Sequence, residues 1–366
     1  MAELKLSNLM MSVPVPAALA AIAAGRPASA RREPAAARML HVLNGDNAAD
    51  LLRLSGVQGE ITLSADVLHE GPAPAGLLPE RWRKVRARYL AECGYDDYDR
   101  CLARLTEWDR ALEAGRGFDE VVIWLEHDLF DQLQLLRLLD WLGSRDDFGS
   151  TRLSLICIGS FPGIEPFHGL GQLSPAQMAS LLDRRERVTD KQIFLARHAW
   201  RAFCSPEPIG LEVALRRDTS ALPFLADALQ RHLEEFPWTR DGLSRTERQA
   251  LLGIDSGFET FESLFRAVQA LEARPFLGDS SFLRCLKVLA SSPMPLIRME
   301  PGPGGLIRNL HLSLTGSGRE VLEGREDWIH LHGIDRWLGG VHLHGRESQW
   351  RWDGERSRLV PAAISE

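Results

Sequence analysis

Residues 121–139, VVIWLEHDLFDQLQLLRLL, restrict the fold more than any other stretch of this chain. Five apolar residues, Val121 to Leu125, run without a break into Glu126, His127 and Asp128. Apolar residues then recur at helical spacing from Leu129 to Leu139. A short continuous apolar run feeding directly into a helix reads as a buried parallel strand and its crossover helix, because a strand covered on both faces has no polar alternation. Ligands of open α/β sheets sit outside the carboxyl ends of such strands. Three ionisable side chains therefore stand where this architecture places its chemistry.

Neighbouring segments supply partners for that strand. Met39–Asn44 is expected as a first strand, followed by a turn at Gly45–Asn47 and a short helix over Ala48–Leu54. Glu60–Ala65 reads as a second strand ending at Asp66, and Arg152–Ile158 as a fourth. Helices are expected over Pro79–Glu92 and Tyr98–Ala114, while the loop VLHEGPAPAG carries His69 and Glu70 and then prolines that forbid helix. Strands alternating with helices predict a parallel sheet, and right-handed crossovers bring all four strand ends to one edge.

From Leu173 the pattern turns to helices. Capping boxes open at Ser174, Thr189 and Ser244, and Ser220–Phe236 reads as a further helical stretch. Helices over Thr260–Ala273 and Ser280–Ala290 are followed by strands at Leu296–Glu300 and Leu306–Thr315, which is the order of a winged helix. Trp328–Asp353 reads as short closing strands. The expected fold is thus α/β: a parallel doubly wound sheet domain (39–170), a helical segment (171–238), a winged-helix-like domain (239–327) and a closing tail (328–366).

Residues 1–38 differ in kind, being rich in Ala, Pro and Arg. Pro14 and Pro16 break an apolar segment that otherwise resembles a signal peptide, so a disordered extension, or a natural start at Met39, is expected. A net charge of −7 gives no global attraction to nucleic acid or an anionic membrane. Five dispersed cysteines without a C-x-x-C read as reduced thiols in a cytoplasm. No P-loop, dinucleotide-binding or nucleophile-elbow motif occurs.

Several stretches resemble the bacterial domain of unknown function family 1835: HVLNGD (41–46), DVLHEGP (66–72), WLEHDLFDQLQL (124–135), LICIGSFPG (155–163), DTSALPFLADAL (218–229), GLSRTERQ (242–249) and GIDRWLGGVHL (333–343). The resemblance implies an α/β N-terminal domain and a distinct C-terminal domain, and brings no established activity.

Four constellations carry candidate chemistry. The first is the strand-end acid cluster of Asp46, Asp66, His69, Glu70, Glu126, His127, Asp128 and Asp131. Crowded carboxylates raise one another's pKa unless a cation offsets them. Asp46, Glu126 and Asp128 are therefore candidate ligands for a divalent magnesium or manganese ion. Glu126 or Asp46 is the candidate base, with His127 and His69 as proton-transfer groups. The plainer alternative for Asp128 and Asp131 is capping of the following helix, and for Asp46 capping of the short one. The second is the basic helix face Arg81, Lys84 and Arg88, a candidate phosphate clamp or a solvated face. The third is the candidate recognition helix, which offers only Arg284 and Lys287 and is poor for DNA. The fourth is a pair of H-x-H motifs, His330/His332 and His342/His344, expected on strands, a spacing that suits a transition metal, with ordinary surface or hydrogen-bonded histidines as the plainer alternative.

The leading expectation is metal-assisted hydrolysis or group transfer on a phosphate-containing small molecule. The alternative is a ligand-sensing regulator with a winged-helix domain. A small-molecule partner is expected, no membrane, and no nucleic acid unless the regulator reading holds; a homodimer is left open.

Overall fold

The computed structural model describes residues 37–143, 149–291, 293–347 and 349–361. The extension expected over residues 1–38 lies outside the described residues up to position 36. Strand β1 (Met39–Leu43) leads through α1 (Asp46–Leu54) to β2 (Glu60–Leu63). A two-residue strand, β3 (Gly71–Pro72), precedes α2 (Pro79–Glu92) and α3 (Tyr98–Ala114). Next, β4 (Glu120–Glu126) runs almost directly into α4 (Leu129–Gly143), and β5 (Arg152–Ile158) follows. After α5 (Pro175–Leu181) come β6 (Glu186–Arg187), α6 (Asp190–Phe203), α7 (Ile209–Leu215) and α8 (Leu225–Leu233).

The fold is mixed α/β. Its main sheet has the order β2-β1-β4-β5-β6, with the first four strands parallel and β6 antiparallel to β5. Leu43 lies beside Leu63 and Trp124, and Glu126 beside Ile158, so the carboxyl ends of the parallel strands share one edge. Pleating divides the apolar run of β4 between two cores. Val121, Ile123 and Leu125 join Leu40, Val42 and the leucines of α4, together with α6 and α8. Val122 and Trp124 join Leu43, Ile156 and residues of α1 and α5 on the other face. Each of these fully buried side chains contributes about 1.5–3 kcal/mol. α4 is apolar nearly all round and buried accordingly, packed against α6 and α8.

Helices α9 (Arg245–Asp255), α10 (Phe261–Ala270) and α11 (Asp279–Ala290) are followed by the antiparallel hairpin β7 (Ile297–Glu300) and β8 (His311–Leu314). Then come α12 (Gly316–Leu322), α13 (Trp328–His332), the hairpin of β9 (Ile334–Gly339) and β10 (Val341–Gly345), and the hairpin of β11 (Trp350–Asp353) and β12 (Arg358–Pro361). β9 also pairs in parallel with β3, so the C-terminal part of the chain closes on the loop after β2. Among the described residues no helix is long and apolar enough to cross a membrane.

Three expectations need correction. His330 and His332 lie on α13, not on a strand; Asp327 caps that helix by accepting from the Ile329 and His330 amides, at 2.9 and 3.1 Å. The helix expected from Ser220 begins at Leu225, beyond Pro223. Arg38 belongs to the fold: its amide donates to Asp119 Oδ2 at 2.7 Å and its carbonyl accepts from the Asp119 and Glu120 amides.

Candidate functional site

The junction of β4 and α4 gathers three buried carboxyls, and each is held by groups of the chain itself. Asp128 caps α4, its Oδ1 accepting from the Asp131 amide at 3.0 Å. Asp131 accepts from the Glu126 amide at 2.5 Å and from Asn44 Nδ2 at 2.9 and 3.0 Å, which ties the end of β1 to the start of α4. Glu126 Oε1 accepts from the Leu170 amide at 2.6 Å. Gly169 must be a glycine for that contact, because its φ is +155° and a Cβ there would collide with the Glu126 carboxylate.

Burial pushes all three carboxyls upward. Glu126 rises because it is desolvated. Asp128 is pushed up to about 7, by burial first and the Glu126 charge second. Asp131 rises well above its ordinary range by burial, then by Asp128 and Glu126. Burial and mutual repulsion thus favour the protonated forms over three adjacent negative charges.

Among the described residues, no three His, Cys, Asp or Glu side chains are arranged to hold a metal ion. The expected set of Asp46, Glu126 and Asp128 does not assemble. Asp46 is exposed in the first turn of α1 and caps nothing, since the cap position is Gly45. Asp128 is turned to helix amides and Glu126 to Leu170.

His127 leaves the strand on a different course. It is 6% exposed, with Phe224 and Phe167 ring centroids at 5.8 and 6.0 Å. Its Nδ1 has no hydrogen-bond partner among the described residues. Burial lowers its pKa, and the nearby Arg274 and His168 lower it further. His127 lines a pocket of about 240 Å³ with Arg231, Arg245, Glu272, Asp227 and Arg274. Arg231 and Arg245 converge on Glu272, at 2.9 and 3.2 Å. Arg274 pairs with Asp227 at 2.7 Å and lies 5.3 Å over the Phe224 ring, while its buried Nη1 has no partner among the described residues.

His69 belongs to a different cavity. Arg86 of α2 and Asp66 form a fully buried ion pair, with Nη2 at 2.7 Å from Oδ1 and Nε at 2.9 Å from Oδ2. Arg86 also donates to the carbonyls of Val67, Glu70 and Pro72, at 3.1, 2.9 and 3.2 Å, so one guanidinium fastens the whole loop. The loop sets His69 edge-on to Phe276 and Phe130, at 5.2 and 6.0 Å, with neither ring nitrogen partnered among the described residues. Burial lowers its pKa, so it is neutral. The cavity it lines is about 660 Å³ and lies between this loop and α2 on one side and α9, α11, β9 and β10 on the other. Glu70 accepts from Tyr95 at 2.6 Å, from Ser281 at 3.2 Å and from Arg284.

The four catalytic candidates do not line one cavity together. His127 and His69 line separate cavities, and neither cavity is lined by Glu126 or Asp46. The basic face of α2 also divides. Arg88 lines the larger cavity, Lys84 pairs with Glu80 at 2.6 Å, and Arg81 is exposed and lines neither. On β10, His342 bonds Asp335 at 2.7 Å and stacks on Trp337. Sequence reasoning missed Arg274 and Glu272 at the smaller pocket, and Arg86 as the residue that positions His69. No known protein-family signature matches the chain, and no curated protein is detectably similar to it.

Proposed function

We propose that the protein is an enzyme of hydrolysis or group transfer on a small phosphate-bearing molecule, acting at the strand ends through His127 and Arg274. One observation carries this reading: His127 Nδ1 and Arg274 Nη1 are both buried, both lack a partner among the described residues, and belong to residues lining one pocket. An unmade buried hydrogen bond costs about 1–3 kcal/mol, so two in one place call for a ligand. A guanidinium only donates, and its planar fork suits a phosphate oxygen pair. With its proton on Nε2, the neutral ring would present a lone pair at Nδ1. Nδ1 would take the proton of the water or hydroxyl as its oxygen bonds to phosphorus and the bond from phosphorus to the leaving oxygen breaks; the imidazolium would then return the proton to that leaving oxygen, while Arg274 holds the phosphate. The raised pKa values of Asp128 and Asp131 weaken the negative field that would repel such a ligand. The resemblance of several stretches to the domain of unknown function family 1835 adds no activity to this reading.

The segment α9–α11 with β7 and β8 fits a winged helix turned inward. Arg284, which a DNA-reading helix would expose, is engaged by Glu70, Tyr95 and the Cys93 carbonyl. This favours a packing role over nucleic-acid binding. A screen of phosphomonoesters, diesters and anhydrides tests the proposal. Turnover is expected, with Arg274→Gln raising KM and His127→Gln lowering kcat in a folded protein. Absence of turnover across the panel, or turnover indifferent to both changes, would sink it.

A further inference from the structure

We infer that the 660 Å³ cavity is a second ligand site, built for an uncharged or cationic planar nitrogen heterocycle of nucleobase to nucleoside size. It stands apart from the strand-end pocket and does not depend on the function proposed there. Its volume falls within the range of small-molecule sites, about 300–1,000 Å³.

The ligand class follows from what the walls leave unmet. His69 is 6% exposed and neither of its ring nitrogens has a partner among the described residues, so its neutral ring offers one N–H and one lone pair. Five carboxylates line the cavity against three arginines. Two of those guanidiniums, Arg284 and Arg336, are already bound by Glu70 and Glu247. An anion would meet excess negative charge, and of the three guanidiniums exposed Arg88 alone is left to pair with it. A ligand with N–H groups would meet acceptors. Glu235 is one, kept ionised by Arg231 at 2.5 Å and by the Thr246 hydroxyl at 2.5 Å, and His69 is the other. The ring preference comes from the aromatic walls. Trp337 and His342 are stacked at 4.4 Å with planes 2° apart, and Phe276 stands edge-on to His69. A further flat ring extends such a stack. Because Arg86 holds the loop through four separate acceptors, the His69 edge is pre-positioned and little ordering is needed on binding.

The test is calorimetric titration of the full chain with adenosine, guanosine and cytidine, and with indole-3-acetate as a flat ring carrying a carboxylate. Saturable binding of at least one nucleoside is expected, with indole-3-acetate binding more weakly. His69→Phe, which keeps the ring volume and removes both nitrogens, should weaken the nucleoside about tenfold, while His69→Gln retains most of the affinity. A melting curve checks that each variant folds; if His69→Phe does not, Trp337→Ala should produce the same loss. No saturable nucleoside binding would overturn the inference. So would equal affinity in the folded variants, or tighter binding of indole-3-acetate.

Discussion

Replacing Asp128 by asparagine should make the protein more stable at pH 8. Asparagine caps a helix as well as aspartate does and keeps an acceptor for the Asp131 amide, so the helix start is preserved. What is lost is an ionisable proton at a fully buried position. The Asp128 carboxyl is pushed from 3.8 to about 7 in the folded protein. Between those values the folded state keeps a proton that the unfolded chain has released. Its contribution to stability is therefore full below about pH 4 and is lost as pH rises through 7. Roughly three pH units at 1.36 kcal/mol each set an upper bound of about 4 kcal/mol. Because Glu126 and Asp131 share the burden, we expect ~1–3 kcal/mol. Urea unfolding at pH 8 and pH 4 measures it: the variant should gain at pH 8 and match the wild type at pH 4. A variant less stable at pH 8, or a difference independent of pH, would refute the argument from a buried, proton-holding Asp128.

Two other buried groups give predictions of opposite kinds. His232 is fully buried without a partner among the described residues, and its pKa is lowered to about 4, by burial first, so the unfolded chain takes up the proton more readily. Stability should fall by up to about 3 kcal/mol as pH drops from 6.5 towards 4, and His232→Phe should flatten that limb in urea melts. Arg86→Ala leaves Asp66 charged, buried and unpaired, and should cost about 3–5 kcal/mol. Hydrogen exchange should show residues 66–72 losing protection first in that variant; uniform loss across the sheet would mean Arg86 does not act through its loop.

What the sequence discloses about this fold is local. The unbroken run Val121–Leu125, the alternation of strands with helices, and the capping boxes at Ser174, Thr189 and Ser244 all appear in the structure, because their causes lie within a few residues. The capping alternative for Asp128 is legible for the same reason. The metal expectation counts charges without the amides that meet them, and one of those amides, Leu170, lies in a distant loop. Arg274, Glu272 and Arg284 reach their sites across the fold and leave no periodic signal. The pairing of β3 with β9 is likewise invisible in a two-residue strand. His330 and His332 are misplaced on a strand because WIHLH alternates like one, whereas its helical state depends on the cap that Asp327 supplies just ahead of it.

In the proposed function His127 and Arg274 together receive a phosphate. The direct measurement is the ring pKa of His127 by histidine NMR, assigned with His127→Gln, during titration with inorganic phosphate. The free ring should titrate below 6.5, held down by burial and by Arg274. Bound phosphate should raise that pKa, because an anion beside the ring favours its charged form, and Arg274→Gln should abolish the rise. An unchanged His127 titration in the presence of phosphate, or the same rise without Arg274, would rule out a phosphate site shared by the two residues.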